Sequence, residues 1–347
     1  MLHLQNVTLD NIAKRIKREK MRIVVYGAGM IGKIVAPDMI QRYDLLENID
    51  CYVDCDVRKQ GKYITIGDKP VKICSPTVLD SIAQNSILFI TNSNYSVVLA
   101  TLDENKHLNG MDAIIIPVMQ ALAVKERTNA TEIILRNYSE ELIPKKIHYC
   151  WFSGKEMPDY LKKCIESWHE KCPEYEIIRW DESNYDIHKN IYMEQAYNAQ
   201  KWGFVPDFAR LDILYTYGGF YLDTDVELLQ SLNDLRGQGA FCGVEKWGNI
   251  NMGGCSGAMK HHPMIGEMLA YRENIPFVYP DGTMNLETCG VYETQPFIKH
   301  GMAINNSTQR INDMTVFSSD FFHPYDYMSG ETILTKHTFS IHHFNGG

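Results

Sequence analysis

Positive charge is in deficit along this chain: 43 acidic residues against 34 lysines and arginines leave a formal net charge of −9. A general nucleic-acid binder carries a basic face, so that class is set aside. Hydrophobic runs are short. No stretch approaches the ~18 apolar residues of a membrane span, and Met1 to Met21 holds no apolar core of signal-peptide length. The nine cysteines are odd in number and scattered, with no Cys-x-x-Cys pair and no Cys/His cluster at zinc-binding spacing. They read as reduced thiols, the chain reads as soluble and cytoplasmic, and Asn-x-Ser/Thr triplets such as Asn129-Ala-Thr131 read as incidental. Low-complexity tracts are missing too. What remains is a 347-residue globular sequence, 45% hydrophobic and 22% charged, long enough for two domains with separate cores.

Residues 1–142 read as the first domain. Asn11 to Lys20 (NIAKRIKREK) forms a short basic helix, either a solvated face or a patch for anionic lipid at a membrane surface. Arg22-Ile-Val-Val-Tyr26 is an apolar strand, followed at once by Gly27-Ala-Gly29-Met-Ile-Gly32 and a helical pattern. That context is what a phosphate-cradling glycine loop requires, because helix N-terminal amides and the helix dipole favour anions. A second strand, Ile49 to Val53, ends in Asp54, placed as the acid that holds a ribose hydroxyl. Gly27, Gly29, Gly32 and Asp54 are therefore candidate residues for a nucleotide or dinucleotide. The alternative is that the glycines only permit tight helix–strand packing. Ile87–Ile90 and Ala113–Ile116 add two buried strands, giving a small doubly wound parallel sheet. No Tyr-x-x-x-Lys pair for hydride transfer is evident. The region resembles the small Rossmann-like domains attached to sugar-modifying enzymes of bacterial surface polysaccharide synthesis, a superfold that hosts many chemistries.

Polar residues from Lys125 to Glu141 precede Pro144, and residues 143–347 read as the second domain. All five tryptophans lie in it. A strand from Ile143 runs through His148 and Trp151 to Gly154, a helix spans Pro158 to Trp168, and Tyr175 to Trp180 forms the next strand. Trp151 at a strand end is either core or a stacking platform for a planar base. A helix from Tyr192 to Lys201 leads into Val205-Pro-Asp207-Phe-Ala-Arg210-Leu-Asp212. Pro206 suits a helix start, and Asp207 and Arg210 project together at i,i+3. Their neighbours Leu211, Ile213 and Leu214 make that helix largely buried, so the pair calls for further partners.

Gly218-Gly219 ends this helix, and Phe220-Tyr-Leu222 forms a strand running into Asp223-Thr-Asp225. In an extended chain the two carboxylates share a face. Unpaired, they would repel or take up a proton; shared ligation of a divalent cation resolves the conflict.

With Asp207 and Arg210 upstream, Tyr-Gly-Gly-Phe-Tyr-Leu before Asp-x-Asp, and the Ile-His-Tyr-Cys-Trp opening, residues 143 to 345 resemble the DXD glycosyltransferases of family 32. That family is related to initiating mannosyltransferases, capsular sugar transferases and clostridial glucosylating toxins. The resemblance implies a GT-A fold and retaining transfer from a nucleotide diphosphate sugar, UDP-linked galactose, glucose or their N-acetyl forms. It further implies Mn²⁺ or Mg²⁺ as cofactor, and a saccharide or lipid-linked saccharide acceptor of capsule or lipopolysaccharide synthesis. Trp151 would stack on the base, Asp207 and Arg210 would hold the donor sugar, Asp223 would meet hydroxyls or a metal-bound water, and Asp225 would ligate the metal. Asn251-Met-Gly-Gly resembles the family's glycine-rich strand near the sugar, making Asn251 a donor-binding candidate. Glu293-Thr-Gln-Pro296 stands where many members have Thr-Gly-Pro, a departure on the acceptor side. Phe321 to Tyr325 reads as another strand. His342-His343 matches the histidine-bearing closing segment, with His343 favoured over His342 as a third metal ligand. Members commonly continue there into Ser-Trp, whereas this sequence stops at Gly347.

Two other readings compete. One is an NAD-dependent oxidoreductase of nucleotide sugars that uses the Gly27–Gly32 loop. The other is a sugar-nucleotide sensor that binds without transfer.

Overall fold

The computed structural model describes residues 1–5, 8–120 and 140–345. The chain forms two compact units, Met1–Ala130 with Ala303–Asn305, and Thr131–Met302 with Asn306–Gly347. Most of the polar stretch assigned to the join lies outside the described residues. The return of Ala303–Asn305 to the first unit carries no sequence signal.

The first unit is a seven-stranded sheet. Its strands are β1 (His3–Leu4), β2 (Arg22–Tyr26), β3 (Ile49–Val53), β4 (Tyr63–Ile66), β5 (Lys69–Cys74), β6 (Ser86–Ile90) and β7 (Asp112–Ile115), in the order β1-β7-β6-β2-β3-β5-β4. All neighbours are parallel except the β4–β5 hairpin. Val24, Leu88, Ile90, Val53 and Ala113 are buried as one core, as expected of parallel strands covered on both faces. The hairpin alternates in burial with period two and turns at Gly67, whose φ is +59°; its polar half hid it from an apolar-run reading. The basic helix spans Leu9–Glu19 and buries Ile12, Ala13 and Ile16. Three of its cations are paired within the unit: Arg15 with Asp112 and Glu19, Lys17 with Asp44, Arg18 with Glu19. Ion pairs at such exposed positions contribute little to stability.

The second unit holds β8 (Lys146–Cys150), β9 (Glu176–Trp180), β10 (Gly219–Tyr221), β11 (Val226–Leu228), β12 (Ala240–Val244), β13 (Ile250–Asn251), β14 (Ser256–Ala258), β15 (Gln309–Ile311), β16 (Met314–Phe317), β17 (Tyr325–Asp326), β18 (Glu331–Thr332) and β19 (Ser340–His342). The main sheet runs β15-β16-β12-β14-β10-β8-β9, with β13 paired to β12. β8, the helix Asp159–Lys171 and β9 form a parallel β-α-β unit, and β10 joins β8 in parallel. The chain is thus a mixed α/β protein with parallel-rich sheets, the class read from the sequence. Phe321–Tyr325 is not one strand. Phe321 and Phe322 lie in a short helix, Ser319–Phe322, and both are fully buried against Phe317 and Phe339. Adjacent residues of a strand face opposite sides, so a helical turn is what lets both rings enter one core. Among the described residues no helix is long and apolar enough to cross a membrane.

Candidate active site

The site begins on the helix Pro206–Tyr217, where Pro206 takes the first turn. The helix ends at Gly218 and Gly219, with φ of +64° and +104°; a Cβ on Gly219 would meet the Lys146 carbonyl at 2.8 Å. This glycine break lets β10 lie against β8 and carries the chain to Asp223 at the same sheet edge as Trp151. Trp151 is half-buried just beyond β8, and its indole N–H donates to the Lys155 carbonyl at 2.8 Å.

Asp207 and Arg210 are both buried, and Arg210 Nη2 lies 3.1 Å from Asp207 Oδ1. Four polar groups among the described residues surround them, and the Tyr221 ring lies 5.5 Å from the Arg210 guanidinium. Arg272 Nη2 stands 3.3 Å from Asp207 Oδ2, the Tyr192 hydroxyl donates to the same oxygen at 3.3 Å, Glu293 Oε1 lies 3.5 Å from Arg210 Nη1, and Asp223 Oδ1 lies 3.7 Å from Arg210 Nη2. Arg272 also stacks over the Tyr192 and Tyr292 rings at 4.3 and 4.6 Å. Burial pushes the Asp207 carboxyl upward while Arg210 and Arg272 pull it back. Burial works against the Arg210 charge, yet Asp223, Asp207 and Glu293 hold its proton firmly. Burial raises Glu293 to about 7 against the pull of Arg210. Arg210 Nε and Arg272 Nη1 are buried without a hydrogen-bond partner.

Asp223 and Asp225 do not lie on one face of an extended strand. Residues 224 and 225 form a turn, closed by the Val226 amide on the Asp223 carbonyl at 3.1 Å, and this turn brings the carboxylates together. Asp223 is the more open, its side chain 25% exposed, and Oδ1 accepts from the Tyr221 hydroxyl at 3.2 Å. Asp225 is buried, accepts the Asn345 amide on Oδ2 at 2.7 Å, and faces His342 Nε2 through Oδ1 at 3.3 Å. Burial opposes the Asp225 charge, but His342 holds its carboxyl below the usual range. Burial equally opposes the His342 charge, and Asp225 holds that ring above its ordinary value.

The histidine at this position is His342, not His343. Antiparallel pairing of β11 with β19 sets Val226 opposite His342 and turns the His342 ring inward. His343 points the other way, and its Nε2 lies 3.1 Å from Glu227 Oε2. Side chains alternate along a strand, so only one of two adjacent histidines can serve. Asp223, Asp225 and His342 each offer a ligand atom within 4.8 Å of the others. Two carboxylates and an imidazole suit Mn²⁺, and Mg²⁺ less well because of the nitrogen. His342 Nδ1 is buried without a partner, so the ring retains unused hydrogen-bonding capacity. The residues present therefore fit a divalent cation.

Asn251 is buried and already committed: Oδ1 accepts the Gly253 and Gly254 amides at 2.8 and 3.2 Å, and its amide donates to Glu245. It shapes the glycine turn beside the acids. A Cβ on Gly253 would lie 1.9 Å from Asp223 Oδ2, and one on Gly254 would lie 2.0 Å from His323 Nε2. Arg272 escaped the sequence reading, and Glu293 entered it only as the start of the Glu293–Pro296 departure, without a role. Glu293 lies in the helix Cys289–Lys299 and Arg272 ends the helix Pro263–Arg272; nothing local shows that either charge is turned inward to Arg210 or Asp207.

In the first unit, Gly27 has φ +113°, and a Cβ on Gly32 would strike the Gly27 carbonyl at 2.1 Å, whereas Gly29 has open space. Asp54 Oδ2 accepts the Ala28 amide at 2.7 Å and lies 3.3 Å from Lys59 Nζ, while Oδ1 accepts the Asp56 amide at 2.8 Å. The acid assigned to a ribose thus braces the loop itself, and Gly27 and Gly32 have packing duties.

Residues 158–242, which hold Asp207, Arg210, Asp223 and Asp225, match the family described as the glycosyltransferase sugar-binding region containing the DXD motif. An uncharacterized glycosyltransferase of Acanthamoeba polyphaga mimivirus is 28% identical over 200 residues, which are 53% of this chain and 74% of that protein. Inositol phosphoceramide mannosyltransferase 3 of Schizosaccharomyces pombe is 35% identical over 101 residues, which are 27% of this chain and 27% of that enzyme. The solved PaToxG glycosyltransferase aligns over 53% of this chain and 79% of its own with a TM-score of 0.37 and 18% identity. The family match and the named relatives mark this chain as an enzyme of the glycosyltransferase class. The part of it that carries this likeness is the second unit, with the DXD acids at its centre.

Proposed function

We propose that the second unit is a GT-A-type, retaining, divalent-metal-dependent hexosyltransferase. It takes a UDP-linked hexose or N-acetylhexosamine and delivers the sugar to a saccharide acceptor, free or lipid-linked, in bacterial surface polysaccharide synthesis. The observation that carries this is the convergence of Asp223, Asp225 and His342 beside a buried guanidinium, Arg210. Asp225 and His342 would hold the cation, with Asp223 at its open side. Bound there, the cation supplies charge neutralisation for the donor's diphosphate.

The remaining work falls to side chains. Arg210 lies against Asp223 and keeps its Nε free, so it can neutralise charge that develops on the departing diphosphate. Asp207, gripped by two arginines, orients Arg210 and offers an acceptor to a donor-sugar hydroxyl. Trp151, at the same sheet edge, offers a ring face to the base. The anomeric C–O bond to the diphosphate breaks with its electron pair passing to the phosphate oxygen. The acceptor oxygen bonds to the same face of the sugar, and its proton passes to that phosphate oxygen. Asp207 lies between two guanidiniums, and Glu293 is held by Arg210 and the Met252 amide, so neither is free to attack, which favours this route over a covalent intermediate. Trapping a glycosylated Asp or Glu by mass spectrometry would overturn it.

The test is a thermal-shift screen of nucleotide sugars with and without Mn²⁺, followed by donor hydrolysis with and without chelator. A ligand of the folded state raises stability by about RT ln(1 + [L]/Kd). The reading predicts a Mn²⁺-dependent shift for a UDP-sugar and hydrolysis lost in Asp225→Asn. Turnover that instead consumes a nicotinamide cofactor sinks it.

A further inference from the structure

Glu293 is 3% exposed and reaches two elements at once. Oε1 lies 3.5 Å from Arg210 Nη1, and Oε2 accepts the Met252 amide at 2.9 Å. Met252 opens the turn whose next carbonyl, Gly253, accepts the Asp223 amide at 2.8 Å. Gly253 is packed so closely that a Cβ there would lie 1.9 Å from Asp223 Oδ2 and 3.0 Å from Arg210 Nη1. The next residue, Thr294, accepts the Ile250 amide on Oγ1 at 2.9 Å, so two consecutive helical residues grip the amide that opens β13 and the one just past its end. Thr294 Oγ1 donates to the Gly290 carbonyl and meets the helix's own backbone. The division of labour is clear: Thr294 fastens the helix to the strand, and Glu293 links that strand to the guanidinium.

We infer that Glu293 is a positioning residue for transfer, fixing Arg210 and, through the Met252–Gly253 turn, the spacing between Arg210 and Asp223. The inference rests on the transferase reading above. A buried carboxylate is costly to keep, and nothing in the fold of the helix requires an acid there, since a neutral side chain could accept the Met252 amide. What a neutral side chain cannot do is hold the guanidinium. In Glu293→Gln the side-chain oxygen can still take the amide, but its NH₂ then faces Arg210 Nη1, donor against donor. Arg210 must therefore turn, and misplacement of a group by about 1 Å costs on the order of 100-fold in rate.

The experiment compares wild type, E293Q, T294V, R210K and R210K/E293Q, each checked for folding by urea denaturation. The readout is Mn²⁺-dependent hydrolysis of whichever of UDP-glucose, UDP-galactose, UDP-N-acetylglucosamine and UDP-N-acetylgalactosamine wild type turns over fastest. For E293Q, kcat falls by roughly 10- to 100-fold while donor KM stays within about threefold. T294V is less stable but keeps kcat within about twofold of wild type. R210K/E293Q is no slower than R210K, because both remove one interaction. If E293Q does not fold at the assay temperature, E293D replaces it, keeping the charge but not the reach, with the same expected kcat loss. Wild-type rates in the Glu293 variant, equal kcat losses in E293Q and T294V, or multiplicative losses in the double variant would each overturn the positioning role while leaving the transferase reading intact. A wild type that hydrolyses none of the four donors overturns both.

Discussion

Arg272 Nη2 stands 3.3 Å from Asp207 Oδ2, while Arg210 takes the other carboxylate oxygen at 3.1 Å. One acid thus bridges two buried guanidiniums, and removing its charge takes from Arg272 its carboxylate partner and leaves Arg210 to Glu293 and Asp223. Breaking a buried ion pair from one side costs ~3–5 kcal/mol. Asp207→Asn should lose stability of that order by urea denaturation, well above the loss from an exposed pair such as Lys17–Asp44. A change within 1 kcal/mol would mean water or relaxation already screens the cluster.

Metal affinity should discriminate the two closing histidines. His342 lies among Asp223 and Asp225, whereas His343 bonds Glu227 at a partly exposed position. Mn²⁺ titration followed by electron paramagnetic resonance should show binding weakened about tenfold or more in His342→Ala. In His343→Ala it should be nearly unchanged. The reverse order would return the third ligand to His343.

Gly253 tests the closeness of the acids to the glycine turn. In Gly253→Ala the new methyl would lie on Asp223 Oδ2, so the carboxylate must move or the turn must open. Overpacking of this kind costs ~1–3 kcal/mol. We expect a comparable drop in stability together with loss of Mn²⁺-dependent donor hydrolysis. Retained hydrolysis would show that Asp223 tolerates displacement.

Legibility in the sequence followed how local each signal is. β2, its glycine loop and β3 were readable because an apolar run, three glycines and a following acid lie within one short stretch. Asp207 with Arg210 was readable from helical spacing. The choice between His342 and His343 was not, because it depends on the β11–β19 register, and a one-residue slip exchanges the two faces. The turn at Asp223–Asp225 read as a strand end because its flanking residues are apolar on both sides. Glu293 and Arg272 reach Arg210 and Asp207 from helices far along the chain, and no short-range pattern encodes such meetings.

The glycine loop of the first unit separates packing from ligand approach. Gly32→Ala should destabilise by ~1–3 kcal/mol, since its Cβ would strike the Gly27 carbonyl, whereas Gly29→Ala has room. Differential scanning fluorimetry on the whole protein distinguishes them. A nucleotide-dependent thermal shift abolished by Gly29→Ala alone would assign the loop a ligand rather than a packing duty.

Three buried groups of the site should each add a pH-dependent contribution to the stability of the metal-free protein, while His148, His262 and His323, kept neutral by burial, add contributions of the opposite sign that are complete once pH passes 6.5. Burial raises Glu293 to about 7 from 4.5, so between those values the folded state keeps a proton that the unfolded state releases. Stability then falls as pH rises across that window. Against burial, Asp225 holds the His342 ring above 6.5, so this contribution is complete below pH 6.5 and is lost as pH climbs through the folded value. Against burial, His342 holds Asp225 below 3.8; that contribution is present above 3.8 and is lost as pH falls through the folded value. Urea denaturation with chelator should therefore show a decline between pH 6.5 and 8, where the three neutral histidines no longer change the slope, and between pH 5 and 6.5 the site's contributions are read as the difference between wild type and variant. Between pH 5 and 7 the slope of E293Q should be more positive than that of wild type, because the Glu293 contribution is gone, and above that range the two should decline alike. An equal slope in E293Q and wild type between pH 5 and 7 would assign the proton to another group. Mn²⁺ should reverse the trend at the upper end, because ligation requires a neutral imidazole and affinity rises as His342 loses its proton.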